Sequence, residues 1–168
     1  MTGDRRTGDP RPTDARGSAD SGAGARVWVV GIGAASGVGA EEVRASVCAA
    51  LARAGAARST VRALVTVAAR AHEPGLVAGA ALLALPLYAR SAAELAEVPV
   101  PHPAERVRAA VGTSSVAEAA ARLGPVSGAP LGELVVAKMR GVGARPRCTV
   151  AIARHVGSAG GEGDRQTS

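Results

Sequence analysis

Aromatic side chains are nearly absent from this sequence: its 168 residues include one Trp, one Tyr and no Phe. Proteins that bind single-stranded nucleic acid stack bases on aromatic side chains, and this chain also lacks a continuous run of basic residues. No nucleic-acid partner is therefore expected. The apolar core has to be built from Ala, Val and Leu instead.

The chain also lacks the spacings that mark disulfides, metal sites and common catalytic groups. Cys48 and Cys148 lie a hundred positions apart without a C-x-x-C pair, so both are expected to be buried, reduced thiols. His72, His102 and His155 show no metal-ligand spacing, and the sequence contains neither a Ser–His–Asp pattern nor paired carboxylates. No metal ion and no cofactor are expected.

Long hydrophobic runs are missing as well. The longest, residues 76–89, has fourteen residues and contains Pro86, whereas a membrane helix needs about 20 apolar residues. The first residues contain no apolar segment of the kind found in secretory signals. The sequence therefore predicts a cytoplasmic protein with no membrane partner.

Charge and composition divide the chain into a folded part and two tails. Residues 1–25 contain no Leu, Ile, Val or aromatic residue, and residues 157–168 are similar, so both tails are predicted to be disordered. The net charge of the chain is +6, and the tails sum to zero and −1, which leaves +7 on residues 26–156. A basic folded part suits an anionic partner, and a small polyanionic ligand fits best.

The pattern of apolar residues predicts alternating strands and helices. Strands are predicted at residues 26–32, 61–67 and 85–88, and helices at 41–54 and 74–83. Capping boxes at 91–94 and 115–118 open two further helices, and strands at 133–138 and 148–154 complete the chain. We predict a single three-layer α/β/α domain with a mixed sheet, in which the N-terminal strands are mostly parallel and the last two form an antiparallel hairpin.

One charged turn stands out at the end of a predicted buried strand. Arg70, His72 and Glu73 follow the strand at residues 61–67 and precede Pro74, which is well suited to the first turn of a helix. Such strand-to-helix turns are where α/β proteins commonly bind ligands. On local sequence alone, a solvated turn whose Glu73 favours the helix N-terminus is the preferred explanation of the pattern.

Two glycine-containing loops are further candidates. Gly33, Gly37 and Gly39 form a G-x-x-x-G-x-G pattern between a strand and a helix, which resembles short-chain dehydrogenases and gives an alternative interpretation as an NAD(P)-binding oxidoreductase-like domain. The Tyr-x-x-x-Lys pair of those enzymes is absent, because Tyr88 and Lys138 are fifty residues apart. The second loop, residues 112–115, offers hydroxyls and amides at a helix N-terminus, which suits an anion or simple helix capping.

Five short phrases, taken together, resemble the cobalamin biosynthesis CobE / CbiG C-terminal domain family. They are V-G-I-G at residues 30–33, E-P-G-L at 73–76, V-G-T-S-S-V-A-E-A-A at 111–120, V-V-A-K at 135–138 and T-V-A-I-A-R at 149–154. The chain departs from the family where it has Arg70 in place of a lysine and His72 in place of a frequent acidic residue. Arginine keeps the positive charge but cannot act as a deprotonatable lysine.

The resemblance implies work on precorrins, the polycarboxylate tetrapyrrole intermediates of vitamin B12. The chain would bind or deliver such an intermediate, or act as an accessory part of a cobalt-precorrin-5A hydrolase that releases acetaldehyde, and other cobalamin-pathway enzymes are further candidate partners. Glu73 and His72 are the implied catalytic candidates. The implied substrate-binding residues are Gly31, Gly33, Arg70, Glu73, Gly112, Thr113, Ser114, Ser115, Glu118 and Lys138.

Overall fold

The computed structural model of the chain describes residues 26–100 and 114–157. The predicted disordered tails, apart from residue 157, lie outside the described residues, as do His102, Gly112 and Thr113. The strands are β1 (Arg26–Ala34), β2 (Val61–Val67), β3 (Leu87–Arg90), β4 (Glu133–Arg140) and β5 (Cys148–Val156), and the helices are α1 (Ala40–Ala54), α2 (Pro74–Leu83), α3 (Ala92–Ala96) and α4 (Ser114–Leu123).

The five strands form one mixed sheet in the order β3-β2-β1-β5-β4. Strands β1, β2 and β3 run parallel, while β5 pairs antiparallel with both β1 and β4. The predicted α/β architecture with a C-terminal antiparallel hairpin is therefore confirmed. β1 lies at the centre of the sheet, as its uninterrupted apolar run indicates for a strand that is covered on both faces.

Helices α1 and α2 cover one face of the sheet with branched aliphatic side chains. In α1 the buried residues recur at helical spacing, and Glu41 and Glu42 occupy its first turn, where negative charge is favourable. Gly55 ends the helix with φ +65°, a conformation that costs glycine little. The core on this face includes Val30, Ile32, Val43, Val47, Leu64, Leu76, Leu83, Val150 and Ile152.

Helices α3 and α4 cover the other face, where α4 packs closely on the strands. Most of its buried positions are alanines, including Ala117 and Ala121, which pack against Ala151 and Ala153 of β5. Gly31 of β1 lies directly below, and a Cβ atom at this glycine would stand 1.9 Å from the Ala117 carbonyl oxygen. Small residues on both sides therefore let α4 approach the sheet backbone.

Two local predictions need correction. β3 spans Leu87–Arg90 rather than residues 85–88, because Pro86 has no N–H to donate and contributes only its carbonyl, which accepts from Leu64. Cys48 was expected to be buried but is exposed, because the buried stripe of α1 consists of Val43, Ser46, Val47, Ala50 and Leu51. The capping box of α3 is present as predicted: Glu94 N donates to Ser91 Oγ at 3.1 Å.

Within residues 26–100 and 114–157, no helix is long and apolar enough to cross a membrane. The same described segments contain no group of three or more His, Cys, Asp and Glu side chains that could hold a metal ion.

Candidate functional site

Three loops meet at the edge of the sheet where the parallel strands end. They are residues 35–39 after β1, residues 68–73 after β2 and residues 141–147 between β4 and β5. The third loop reaches this edge because β5 is antiparallel to β1 and begins there, with Cys148 opposite Ala34. Strand order thus brings chain segments more than a hundred residues apart into contact.

The turn after β2 is bonded to the loop after β1. Arg70 Nη1 donates to Ser36 Oγ at 2.6 Å, and Gly37 N donates to Glu73 Oε1 at 2.8 Å. A Cβ at Gly75 would stand only 1.7 Å from the Val38 carbonyl oxygen, so glycine is needed for α2 to approach this loop. Two sequence-predicted residues, Arg70 and Glu73, are therefore brought to the loop after β1, residues 35–39, which we call the glycine loop.

Arg147 also forms hydrogen bonds with the glycine loop. Its carbonyl accepts from Ala35 N at 2.7 Å, and its guanidinium Nη1 donates to the Ser36 carbonyl at 2.9 Å. Its backbone N–H donates to Glu42 Oε1 at 2.5 Å, and the same oxygen accepts from Cys148 N at 3.1 Å. The first turn of α1 therefore anchors the start of β5.

A cleft of about 310 Å³ opens beside this loop. Three of its lining side chains are cationic, namely Lys138, Arg140 and Arg147, and no acidic residue lines it; the remaining lining residues are Ala35, Pro146, Cys148 and Thr149. Arg140 and Arg147 are exposed. Three cationic side chains around one cleft favour an anionic ligand.

Arg140 and Arg147 are site residues that the sequence analysis missed. They lie in the glycine- and arginine-rich stretch between the last two predicted strands, and that composition is the signal that could have found them. The predicted substrate-binding residue Lys138 lies on β4 and lines the same cleft.

α4 points its N-terminus toward this edge of the sheet. Ala117 lies over Gly31, whereas the carbonyl of Ala121 bonds to His155, which is opposite Val27 at the start of β1. The helix therefore runs antiparallel to β1, and its first turn, which begins at Ser114, lies at the end of the sheet where β1 ends. A helix N-terminus on that side would add favourable dipoles for an anion.

Other predicted site residues are buried. Glu118 is 1% exposed, and its Oε1 accepts from Lys138 N at 3.0 Å. The helix includes Ser114 and Ser115, and the Glu118 carboxylate is bonded to β4. Gly31 is covered by α4, and Gly33 is buried in β1.

The two catalytic candidates lie in the same turn but in different surroundings. His72 is exposed, whereas Glu73 is partly buried and accepts the Gly37 amide. No contact joins them to a second acid–base group among the described residues. Their catalytic role stays a prediction.

The geometry does not favour a dinucleotide on the glycine loop. The Gly37 amide, which a pyrophosphate would need, already donates to the Glu73 carboxylate. The strand beside β1 on the far side from β2 is antiparallel, so the crevice between parallel strands in which Rossmann folds bind dinucleotides is not formed there.

The two thiols are expected to react very differently. Burial raises the pKa of the Cys148 thiol from its ordinary value of 9.0 to about 11, against a smaller lowering by Ser46, while Cys48 is exposed. Since the thiolate is the nucleophile, iodoacetamide at pH 8 should label one thiol per native chain and two per unfolded chain, as read by intact mass. Equal labelling of both cysteines in the native protein would contradict this.

The raised pKa of the Cys148 thiol also predicts a pH dependence of stability. The free energy of unfolding should fall as pH rises from 9 towards 11, because Cys148 loses its thiol proton in the unfolded chain at a lower pH than in the folded chain.

Comparisons with known proteins agree on one family. The family model described as the cobalamin synthesis G C-terminus matches residues 28–153. The solved structure of CobE, described as a protein from the cobalamin (vitamin B12) biosynthetic pathway, is 31% identical with a TM-score of 0.62, covering 79% of this chain and 96% of CobE. Cobalamin biosynthesis protein chiG from Agrobacterium tumefaciens strain C58 is 33% identical with a TM-score of 0.55, covering 76% of this chain and 97% of that protein.

A third solved structure shows only that the fold is shared. A putative cobalamin biosynthesis protein G homolog from Sulfolobus solfataricus is 18% identical with a TM-score of 0.53, and the match covers 76% of this chain but 36% of the homolog. A comparison with curated proteins finds no match. The family match and the two closer structures are sufficient: the chain belongs to the family described as the cobalamin synthesis G C-terminus, and it is a cobalamin biosynthesis protein of the CobE/CbiG type.

Proposed function

We propose that this protein binds a precorrin or cobalt-precorrin intermediate by its peripheral carboxylates, in the cleft beside the glycine loop. The observation that carries the proposal is the set of three cationic side chains, Lys138, Arg140 and Arg147, around one cleft. Guanidinium groups bind carboxylates through paired, charge-assisted hydrogen bonds. A polycarboxylate ring offers several such groups at once.

The size of the cleft suits one edge of a tetrapyrrole rather than the whole ring. Its volume of about 310 Å³ lies at the lower limit of pockets that enclose a small ligand, which run from roughly 300 to 1,000 Å³. The ring would therefore lie against the sheet edge with part of its surface exposed. Some peripheral carboxylates would enter the cleft. Arg70, which is bonded to Ser36 in the neighbouring loop, would bind another carboxylate.

An exposed ring fits a protein that holds and passes on an intermediate. In the alternative role, the chain would be an accessory part of a precorrin-5A-type hydrolase, with Glu73 and His72 as the acid–base candidates. The bond from Gly37 N to Glu73 Oε1 supports the first role, because it engages the carboxylate that the chemistry would use.

The binding test mixes the purified protein with precorrin intermediates and follows their absorption spectra and elution. We expect a spectral change and co-elution with the protein. Unchanged spectra and elution would overturn the proposal. Acetaldehyde released from a cobalt-precorrin by the protein alone would favour the hydrolase role over delivery.

Carboxylate recognition has its own test, with two stable corrins as probes. Cobyrinic acid carries free peripheral acids, whereas cobinamide carries amides on the same ring. We expect the protein to bind cobyrinic acid more tightly, with an affinity that falls as salt rises, because the Debye length shortens from about 10 Å at 0.1 M to about 3 Å at 1 M. Equal affinity for both corrins, measured by isothermal titration, would contradict carboxylate recognition.

A further inference from the structure

The register of β4 against β5 shifts at two places, between Leu134 and Val136 and between Val136 and Met139, and the second shift is a β-bulge beside the cleft. Val136 pairs with Ile152 and Met139 pairs with Val150, so three steps along β4 match two along β5. The extra residue lies at Ala137 or Lys138, and Lys138 lines the cleft. Bulges of this kind redirect a side chain from the face that regular alternation would give it.

A buried carboxylate holds the backbone of this bulge. Glu118 comes from the middle of α4, is 1% exposed and accepts from Lys138 N at 3.0 Å through its Oε1. The carboxylate can reach the β4 backbone because α4 lies close to the sheet, with Ala117 over Gly31. A buried polar group is costly unless it is hydrogen-bonded, and the bond to Lys138 N satisfies one oxygen of this side chain.

We propose that Glu118 is a positioning residue that directs Lys138 into the cleft by holding the bulge of β4. This inference rests on the proposed binding of carboxylates in that cleft, and it gives Glu118 a role without substrate contact. Loss of the acceptor oxygen would let β4 return toward regular pairing with β5. A shift of one residue turns a side chain to the opposite face of a sheet, so the Lys138 ammonium would leave the cleft.

The chain offers a direct reporter of this effect, because Lys138 is its single lysine. Reductive methylation with ¹³C-formaldehyde labels Lys138 and the α-amine, and the Lys138→Met variant assigns the two NMR signals. Without any ligand, we expect Glu118→Ala and Glu118→Asp to shift the Lys138 signal. Glu118→Gln retains an acceptor oxygen at the same reach and should leave the signal close to that of the wild type.

The affinity for cobyrinic acid supplies the second readout. We expect Glu118→Ala to weaken binding about tenfold, in keeping with the loss of one charge-assisted hydrogen bond, and Glu118→Gln to restore most of it. In the Lys138→Met background, Glu118→Ala should cause little further loss, because the two residues act as a unit. Circular dichroism tests whether each variant is folded. If Glu118→Ala does not fold, Glu118→Asp replaces it in these measurements.

The outcomes separate this inference from the proposed function. A shifted Lys138 signal with no corrin binding by any variant, including the wild type, would overturn the function and uphold the positioning role. An unchanged Lys138 signal in both Glu118→Ala and Glu118→Asp would overturn the positioning role. Equal losses of affinity from Glu118→Ala in the wild-type and Lys138→Met backgrounds would also overturn it.

Discussion

Replacing Gly31 with alanine is expected to prevent the protein from folding stably. The new Cβ would lie 1.9 Å from the Ala117 carbonyl oxygen and 2.5 Å from the Ala121 amide nitrogen. Both atoms belong to the backbone of α4, so no side-chain rotation can relieve the overlap, and the helix would have to move off the sheet. Overpacking usually costs about 1–3 kcal/mol, and a displaced helix should reach about 4 kcal/mol or more, measured by urea unfolding with Trp28 fluorescence.

Gly39→Ala is the matched control for this substitution. Gly39 precedes α1 with φ −83°, and the nearest atom to a new Cβ is 4.0 Å away. Its cost should stay within about 1 kcal/mol, since alanine only replaces glycine at a helix N-cap. If Gly31→Ala unfolded at the same urea concentration as the wild type but no longer bound a precorrin, Gly31 would be a ligand residue rather than a packing residue.

Removing both guanidinium groups of the cleft should nearly abolish corrin binding. Arg140 and Arg147 line the cleft and are exposed. A hydrogen bond to a charged group contributes about 1.5–3 kcal/mol, so Arg140→Ala with Arg147→Ala should weaken the affinity for cobyrinic acid by at least about 100-fold, measured by isothermal titration. Arg147→Ala alone also removes the bond to the Ser36 carbonyl, so its effect should exceed that of Arg140→Ala.

The control pair is Arg53→Ala with Arg62→Ala, which removes the same charge. Arg53 is exposed in the last turn of α1, and Arg62 is exposed near the start of β2. Both lie toward the end of the sheet where the parallel strands begin, opposite the end that carries the cleft. Its affinity should stay within a few-fold of the wild-type value, because exposed charges farther apart than about 10 Å are largely screened at 0.1 M salt. Comparable losses from both pairs would mean that net charge, rather than the cleft, governs binding.

The sequence alone predicted the elements that depend on local signals. The alternation of apolar residues placed α2 and β2 at their observed bounds, and the Ser91 to Glu94 spacing predicted the capping box of α3. These features depend on residues within a few positions of one another, which periodicity and capping chemistry encode. The ordered family phrases gave the cobalamin resemblance, which the family match then confirmed.

The roles of single residues in the site were harder to predict. Glu118 carries the same side chain whether it caps a helix, meets a ligand or holds a bulge, and only its burial and its bond to Lys138 N distinguish these roles. Gly31 occurs in a family phrase, yet what requires glycine there is the backbone of α4, about ninety residues later in the chain.

The sequence by itself determined the alternation of strands and helices, the basic character of the folded part and the charged turn from Arg70 to Glu73. Only the tertiary structure decided that β5 lies beside β1, which places Arg147 against the loop at Ala35. The sequence predicted the β4–β5 hairpin but not that β5 would pair with β1. Such pairing depends on burial and hydrogen bonds between segments far apart in the chain. That pairing unites the cations of the last hairpin with the first glycine loop in one cleft.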